Sequence, residues 1–508
     1  MAGLSAVIPY FNHYLTASGF WFYLLNFSFT SLAKIVAIFA FFLFARLLAM
    51  YFISRPLWRG RKLNLEKGEK LEAKPFYPFF SIIVPARQEA EVIKNTIYSY
   101  LKINYPRDRF ELIIVTDEKE REGASSRTTQ EEVLAALAEL SKKEPDFQLK
   151  MLEVPYDFDG YLYGKRMGTA VPSTKGRAVN YALSNLEAKT DFCAFFDADG
   201  MAHPDSLLMV AKTWFKDPTK GVFQLPVFQC RNFWSISLFS KIAALGQAFT
   251  HECVLPRLMK KIPFLGGTNL FIKKDLLLKV GGFDNHSLTE DLALGISLYL
   301  KTNSWPHFLP LPSSEQTPPN FKAYRRQRIR WALGQLKVIE YLKSLRSHPL
   351  YQNQAKKLYR RLIINGPIEW VLYFMLTLMS SLILISRLAQ GTFMFINLRN
   401  LSFSLLSFNS LNELSYSLMA LAGFPLLIYL IILKARYRYF IQKPFKHGLK
   451  KFIDDAGLVF GSLFIMPFIL FLYPWPFFWA LLQKIISPSK ETAWIKTPRT
   501  KEVVSTFS

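Results

Sequence analysis

Asp191-Phe192-Cys193-Ala194-Phe195-Phe196-Asp197-Ala198-Asp199-Gly200 is a short apolar run that ends in two carboxylates two residues apart. An apolar run of this length, bounded by polar residues, predicts a buried strand from Asp191 to Phe196. Working outward, Phe80-Ser81-Ile82-Ile83-Val84-Pro85 predicts another buried strand, followed by a helix from about Ala90 to Leu101. A second strand is expected from Phe110 to Thr116, ending at Asp117, and a helix from Lys175 to Leu186. Strands alternating with helices imply an α/β domain with a mostly parallel sheet, whose ligands gather at the strand carboxyl ends. Asp117 and Asp197 both stand at such ends.

The chain of 508 residues has room for a large domain and a membrane region. Half of it is apolar and 16% is aromatic, and the formal charge is +25. Lysine and arginine cluster beside the apolar segments: Arg55, Arg59, Arg61 and Lys62 after the first, and Lys356, Lys357, Arg360 and Arg361 before the second. A third cluster runs from Lys434 to Lys451. That distribution is the positive-inside pattern of cytoplasmic loops. It argues against nucleic acid as the partner, and no nucleic-acid motif is present. Cys193, Cys230 and Cys253 have no metal or disulfide spacing.

The expected layout has four parts. Residues 1–56 form a membrane anchor, with a span from Leu32 to Ile53. Residues 57–345 form the α/β domain. Residues 346–488 form a membrane region with segments near Ile363 to Ile385, Leu414 to Leu433 and Leu458 to Ile486 and a basic cytoplasmic loop over 434–455. Residues 489–508 form a tail. Each segment is long enough for a span of roughly 20 residues. Glu118 to Asp146 is charged and predicts a loop plus a solvated helix. Asn232 to Phe264 interleaves aromatic and basic residues and suits either a helix on the membrane surface or an ordinary packed helix.

In an extended chain Asp197 and Asp199 fall on the same side. Paired carboxylates at a strand end suit Mg²⁺ or Mn²⁺ held together with substrate phosphates. Taken alone, Asp-x-Asp also describes a solvated turn. Thr289-Glu290-Asp291 leads a helical stretch from Leu292 to Leu300, where acidic residues are favoured by the helix dipole whatever their function. Gln327-Arg328-Ile329-Arg330-Trp331 offers planar donors suited to phosphate. It also reads as a basic amphipathic helix before a membrane segment. Cys193 reads as a small buried strand residue. His251, Glu252 and Glu315 receive no role.

Together these motifs resemble family 2 glycosyltransferases of the processive-synthase type, which include cellulose, chitin and hyaluronan synthases. The resemblance runs from Ser81 to Gln335 and keeps the order of the motifs: V-P-A-R-Q-E-A at Val84 to Ala90, Asp117, T-K-G-R-A-V-N-Y-A-L at Thr174 to Leu183, F-F-D-A-D, G-G-T-N at Gly266 to Asn269, G-G-F-D at Gly281 to Asp284, T-E-D and Q-R-I-R-W. Gln88 replaces the usual asparagine, and Thr116-Asp117-Glu118 stands where paired aspartates are common. The resemblance implies a GT-A type, Rossmann-like cytoplasmic domain joined to transmembrane helices, and an inverting enzyme of the cell membrane that uses a UDP-sugar and Mn²⁺ or Mg²⁺. It assigns Asp291 as general base. Asp117, Lys175, Asp197, Arg328 and Arg330 are assigned to the nucleotide, and Asp197 and Asp199 to the metal. Gly267, Thr268, Asn269 and Trp331 go to the acceptor, with Glu290 and Gln327 beside the site. The acceptor is expected to be a growing glycan. A lipid acceptor, as for ceramide glucosyltransferases, is the alternative, and a catalytically inactive membrane scaffold is the reading from another class. The bilayer is a partner in each case, and an oligomer or accessory subunit is compatible with all of them.

Overall fold

The computed structural model describes residues 77–122, 127–375, 474–487 and 497–502, with isolated positions 378, 457 and 472. Contacts divide the chain into two compact units. One comprises 1–52, 369–432 and 449–475; the other comprises 53–368, 433–448 and 476–508 and holds nearly all described residues. The expected anchor, the spans beyond residue 375 up to 473 and the basic loop lie outside the described residues. Among the described residues no helix is long and apolar enough to cross a membrane.

A seven-stranded sheet organises the larger unit. Its strands are β1 (Phe80–Pro85), β2 (Phe110–Asp117), β3 (Leu149–Val154), β4 (Phe192–Phe195), β5 (Val222–Gln224), β7 (Leu270–Lys273) and β8 (His307–Phe308), in the order β3-β2-β1-β4-β7-β5-β8. A separate pair joins β6 (Val227–Phe228) to β9 (Ser313–Ser314) in parallel. The pairs β1/β2, β1/β4, β2/β3 and β5/β8 are parallel, whereas β7 runs antiparallel to both β4 and β5. The sheet is therefore mostly parallel, as expected, with one reversed strand inside it.

The longer helices among the described residues are α1 (Ile93–Ser99), α2 (Thr129–Lys143), α3 (Lys175–Ser184), α4 (Ser206–Lys216), α5 (Leu238–Phe249), α6 (Lys274–Val280), α7 (Glu290–Thr302), α8 (Phe321–Ser344), α9 (Gln352–Ile363) and α10 (Trp475–Ile486). Strand alternation sends Ile82, Leu112, Ile114 and Ala194 to one face, where they pack on Ile93 and Ile97 of α1, Val133 and Ala136 of α2 and Val210 of α4. Ile83, Ile113, Val115, Cys193 and Phe195 point to the other face and meet Val179 and Leu183 of α3, Leu277 of α6 and Leu294 and Leu298 of α7. Both faces are covered, which explains why these strands read as continuous apolar runs.

The region Asn232 to Phe264 is not one surface helix. It breaks into a short 3₁₀ turn, α5, a π-type turn at Thr250–Val254 and a single α turn at Leu255–Leu258. Phe239, Ile242, Ala243, Ala244, Leu245, Ala248 and Phe249 are buried, so the packed alternative holds. The expected solvated helix in Glu118 to Asp146 is α2, which opens on a Thr128–Glu131 capping box and buries one stripe.

Candidate active site

The reversed strand β7 assembles the site. Phe195, the last residue of β4, pairs with Leu270, the first of β7. The chain leaving β4 and the chain entering β7 therefore meet at one sheet edge. Phe196-Asp197 and Thr268-Asn269 run side by side there, and the Asp197 backbone N–H donates to Thr268 Oγ1 at 3.1 Å. The Thr268 hydroxyl in turn donates to Glu315 Oε1 at 2.5 Å. Glu315 reaches this point because β9 pairs with β6 and Ser314 also bridges to Met201.

Asp197, Asp199 and Glu315 can each turn one carboxylate oxygen to within 4.8 Å of the others. Asp199 and Glu315 are buried, while Asp197 keeps some exposure. Lys175, the first residue of α3, pairs with Asp197 and donates to the Gly267 carbonyl at 2.8 Å. Asp199 Oδ2 accepts from the Gln316 N–H at 2.9 Å and from Arg499 at 2.8 Å. Its other oxygen, Oδ1, is buried and has no hydrogen-bond partner among the described residues.

Burial opposes charge on all three carboxyls. For Asp197 the Lys175 charge, supported by Arg499 and Arg330, overcomes burial and holds the carboxyl below its ordinary range. Burial pushes Asp199 and Glu315 up, and the neighbouring carboxylates push both further. A hard-oxygen cluster with an unpartnered buried oxygen fits a divalent cation of the Mg²⁺ or Mn²⁺ type.

Asp291 sits in the first turn of α7, beside Glu290. Its Oδ1 accepts the Leu292 N–H at 2.7 Å. Burial raises its carboxyl first and the Glu290 charge second, to about 7, against the lowering effects of the Leu292 N–H and Lys175. Gly267, at φ +71°, lies against it: a Cβ there would stand 2.8 Å from Asp291 Oδ2. The loop Gly266–Asn269 thus touches Asp291 on one side and, through Lys175 and Thr268, the Asp197 cluster on the other.

Residues 78–334 match the family model described as "Glycosyltransferase like family 2". The chain belongs to glycosyltransferase family 2. It is 27% identical over 283 residues to "Probable glycosyltransferase YdaM" of Bacillus subtilis, covering 52% of this chain and 57% of that protein. It is 26% identical over 316 residues to "Beta-monoglucosyldiacylglycerol synthase" of Synechocystis, covering 60% and 59%. The chain thus spans under three-fifths of the length of these two curated relatives. Among solved structures, "Mannosyltransferase PcManGT from Pyrobaculum calidifontis in complex with GDP-Man and Mn2+" overlaps 90% of this chain and 100% of its own, at 16% identity and a TM-score of 0.42.

The domain of this family 2 member is of the GT-A type α/β class. The site draws together Lys175, Asp197, Asp199, Gly267, Thr268, Glu290 and Asp291, all singled out in the sequence. Arg330 also belongs here, since its charge acts on Asp197. The structure gives Asp117, Asn269 and Arg328 partners within the protein. Asp117, expected at the nucleotide, is buried in an ion pair with Arg177 of α3 at 2.9 Å, and its other oxygen caps the Lys119 N–H at 3.1 Å. Asn269, expected at the acceptor, is fully enclosed, with its amide donating to the carbonyls of Pro226 and Leu311 at 2.9 and 3.1 Å. It holds the loop in place. Arg328, expected at phosphate, is buried, with its guanidinium 4.1 Å from the Trp331 ring centre and 5.0 Å from that of Tyr324. It braces Trp331. Gln327 is half-buried on α8.

Glu315, Glu89, Arg231 and Arg499 are site residues that sequence reasoning missed. Arg231 donates to the Asp199 carbonyl at 2.7 Å and to Thr96 Oγ1 at 3.1 Å, which fixes the Asp-Ala-Asp turn from behind. The legible signals were Glu89, inside V-P-A-R-Q-E-A, and Glu315, a lone carboxylate in a proline-rich stretch just ahead of Q-R-I-R-W. His251 is neutral and structural: burial, then the Arg328 charge, pushes it down to about 3, and its Nδ1 accepts the Val227 N–H at 3.2 Å.

Proposed function

We propose that this chain is an inverting glycosyltransferase that moves a hexose from a nucleoside diphosphate sugar, UDP-linked in the leading reading, to an acceptor hydroxyl. The observation that carries the reading is Asp291: a carboxyl pushed up to about 7 at the head of a helix, joined through Gly267 to the Asp197-Asp199-Glu315 cluster. A group that titrates near neutrality is matched to taking a proton from a hydroxyl. Asp291 accepts that proton as the acceptor oxygen bonds to the sugar's C1 and the C1–O bond to the diphosphate breaks. The electron pair of that bond leaves with the diphosphate.

Asp197, Asp199 and Glu315 would hold Mn²⁺ or Mg²⁺, which when bound supplies positive charge to the leaving diphosphate. Lys175 and Arg330 add fixed positive charge at the same edge. Trp331, braced by Arg328, offers an indole surface to the acceptor sugar. The acceptor in the leading reading is a growing glycan. A lipid acceptor is the second reading, favoured by the likeness to a monoglucosyldiacylglycerol synthase, just as a "Poly-beta-1,6-N-acetyl-D-glucosamine synthase" of Staphylococcus epidermidis, 24% identical, favours the first. We place the domain on the cytoplasmic side of the cell membrane, because basic clusters flank the apolar segments.

The test is release of free nucleotide from a panel of UDP- and GDP-sugars by the detergent-purified chain with Mn²⁺. Metal-dependent release from one donor, lost in Asp291→Asn, supports the reading. Undiminished turnover in that variant overturns the base assignment. A ladder of products identifies a glycan synthase, and a single-sugar lipid identifies the alternative.

A further inference from the structure

Strand β5 ends on Gln224, whose side chain is fully enclosed. Gln224 lies opposite Leu270 in the β5/β7 ladder, and just beyond it the Leu225 N–H donates to the Asn269 carbonyl at 3.0 Å. At and ahead of that rung the chain does not run as a strand, because Gly267 has φ +71° and Asn269 has φ +47°. Backbone groups in such a turn still need partners once they are buried. Gln224 supplies them. Its Oε1 accepts the Gly266 N–H at 2.7 Å. Its Nε2 donates to the Thr268 carbonyl at 2.9 Å, to the Asn269 carbonyl at 3.3 Å and to the Leu225 carbonyl at 2.8 Å.

One carboxamide thus grips the residue before Gly267 and the residue after it. Gly267 is where the two halves of the site touch. It lies against Asp291, so that an added Cβ would stand 2.8 Å from Asp291 Oδ2, and its carbonyl accepts from Lys175 at 2.8 Å. Thr268, also held by Gln224, accepts the Asp197 N–H. Among neutral side chains, only asparagine and glutamine carry a carbonyl acceptor and two N–H donors on one planar group. Asparagine is one methylene shorter.

We propose that Gln224 is a positioning residue for the transfer: by fixing Gly266 and Thr268 it sets where Gly267 stands, and so holds Asp291 in register with Lys175 and the Asp197 cluster. The proposal rests on the reading of Asp291 as the general base. A base must lie within hydrogen-bond reach of the hydroxyl that it serves, and a misplacement of about 1 Å costs roughly a hundredfold in rate. Without the carboxamide the loop stays anchored at Asn269, whose own amide is bonded to Pro226 and Leu311. Gly267 is then free to move off Asp291.

A double-mutant cycle tests this, with the full chain in detergent, Mn²⁺ and the nucleotide sugar that it turns over, read as kcat for nucleotide release. Gln224→Met keeps length and neutrality and removes all four bonds. It is expected to lower kcat by about tenfold to a hundredfold, with the donor KM changed by less than about threefold. On the Asp291→Asn background, where no base is left to position, the same change should lower kcat by less than about threefold. Gln224→Glu keeps the length and the acceptor for the Gly266 N–H, and a buried carboxyl that stays protonated keeps one donor. It should lose less than Gln224→Met, and it takes that variant's place in the cycle, with the same two outcomes, where Gln224→Met does not fold. An unchanged kcat, or an equal fractional loss on both backgrounds, overturns the proposal while Asp291 stands as base. Full turnover by Asp291→Asn, or no release by the unaltered chain from any UDP- or GDP-sugar, overturns the base assignment and the proposal with it.

Discussion

Gly334 of α8 lies so close to Thr289, the residue before α7, that an added methyl would overlap the threonine side chain. The helix carrying Q-R-I-R-W is thereby pressed against the T-E-D segment. Gly334→Ala should push the two apart. Overpacking costs about 1–3 kcal/mol, while alanine regains about 1 kcal/mol of helix propensity. The expected outcome is a small fall in Tm with a much larger fall in turnover. Equal falls in both would mean that this contact supports only the fold.

The pH profile follows from Asp291. A base must be ionised, and its carboxyl is raised to about 7. Transfer by the unaltered chain should therefore be lost as pH falls through about 7 and regained above it. Asp291→Asn should lower turnover by about a hundredfold to ten-thousandfold, with nucleotide binding largely kept.

Glu290 and Lys175 should move that limb in opposite directions. The Glu290 charge raises the Asp291 carboxyl and the Lys175 charge lowers it. Glu290→Gln should carry the acid limb to lower pH, and Lys175→Met to higher pH. Lys175→Met should also weaken donor binding, since Asp197 loses its partner. Rate profiles of both variants against pH check the pair.

Thr268 links the Asp197 N–H to Glu315. Thr268→Val leaves a buried N–H and a buried carboxylate without that partner, at about 1–3 kcal/mol of stability. Mn²⁺ binding should weaken as well. Thr268→Ser, which restores the hydroxyl, should recover most of both; thermal melting and Mn²⁺ titration read the two effects.

The parts of the fold legible in the sequence were those with one dominant signal. β1, β2 and β4 are buried on both faces, so each is a continuous apolar run. β5, β6, β8 and β9 are two or three residues long, too short for any period to register. Asn232 to Phe264 left two readings open because aromatic and basic residues, Trp234 and Lys241 among them, interleave along it. In the structure the lysine ammonium sits 5.4 Å from the indole centre, beside a helix whose remaining faces are packed. The site was legible where its residues adjoin in sequence, as in D-A-D and T-E-D. Arg328 could have been read better. It is three residues before Trp331 on one helix, a spacing that brings side chains together, and so it braces the ring while Arg330 acts on Asp197. Arg231 and Arg499 carry no local signal, because only the tertiary fold brings them to Asp199, whereas Glu89 lies inside V-P-A-R-Q-E-A and was given no role there.

Arg499 and Asp199 are 300 residues apart in the chain. At about 5–20 residues per second of synthesis, Asp199 leaves the ribosome roughly 15–60 seconds before Arg499, and Glu315 roughly 9–37 seconds before it. A newborn chain thus passes through an interval in which all three carboxylates of the cluster have been synthesised and Arg499 has not. During that interval the Asp199 and Glu89 carboxylates come together without the guanidinium that bonds to both of them in the finished chain.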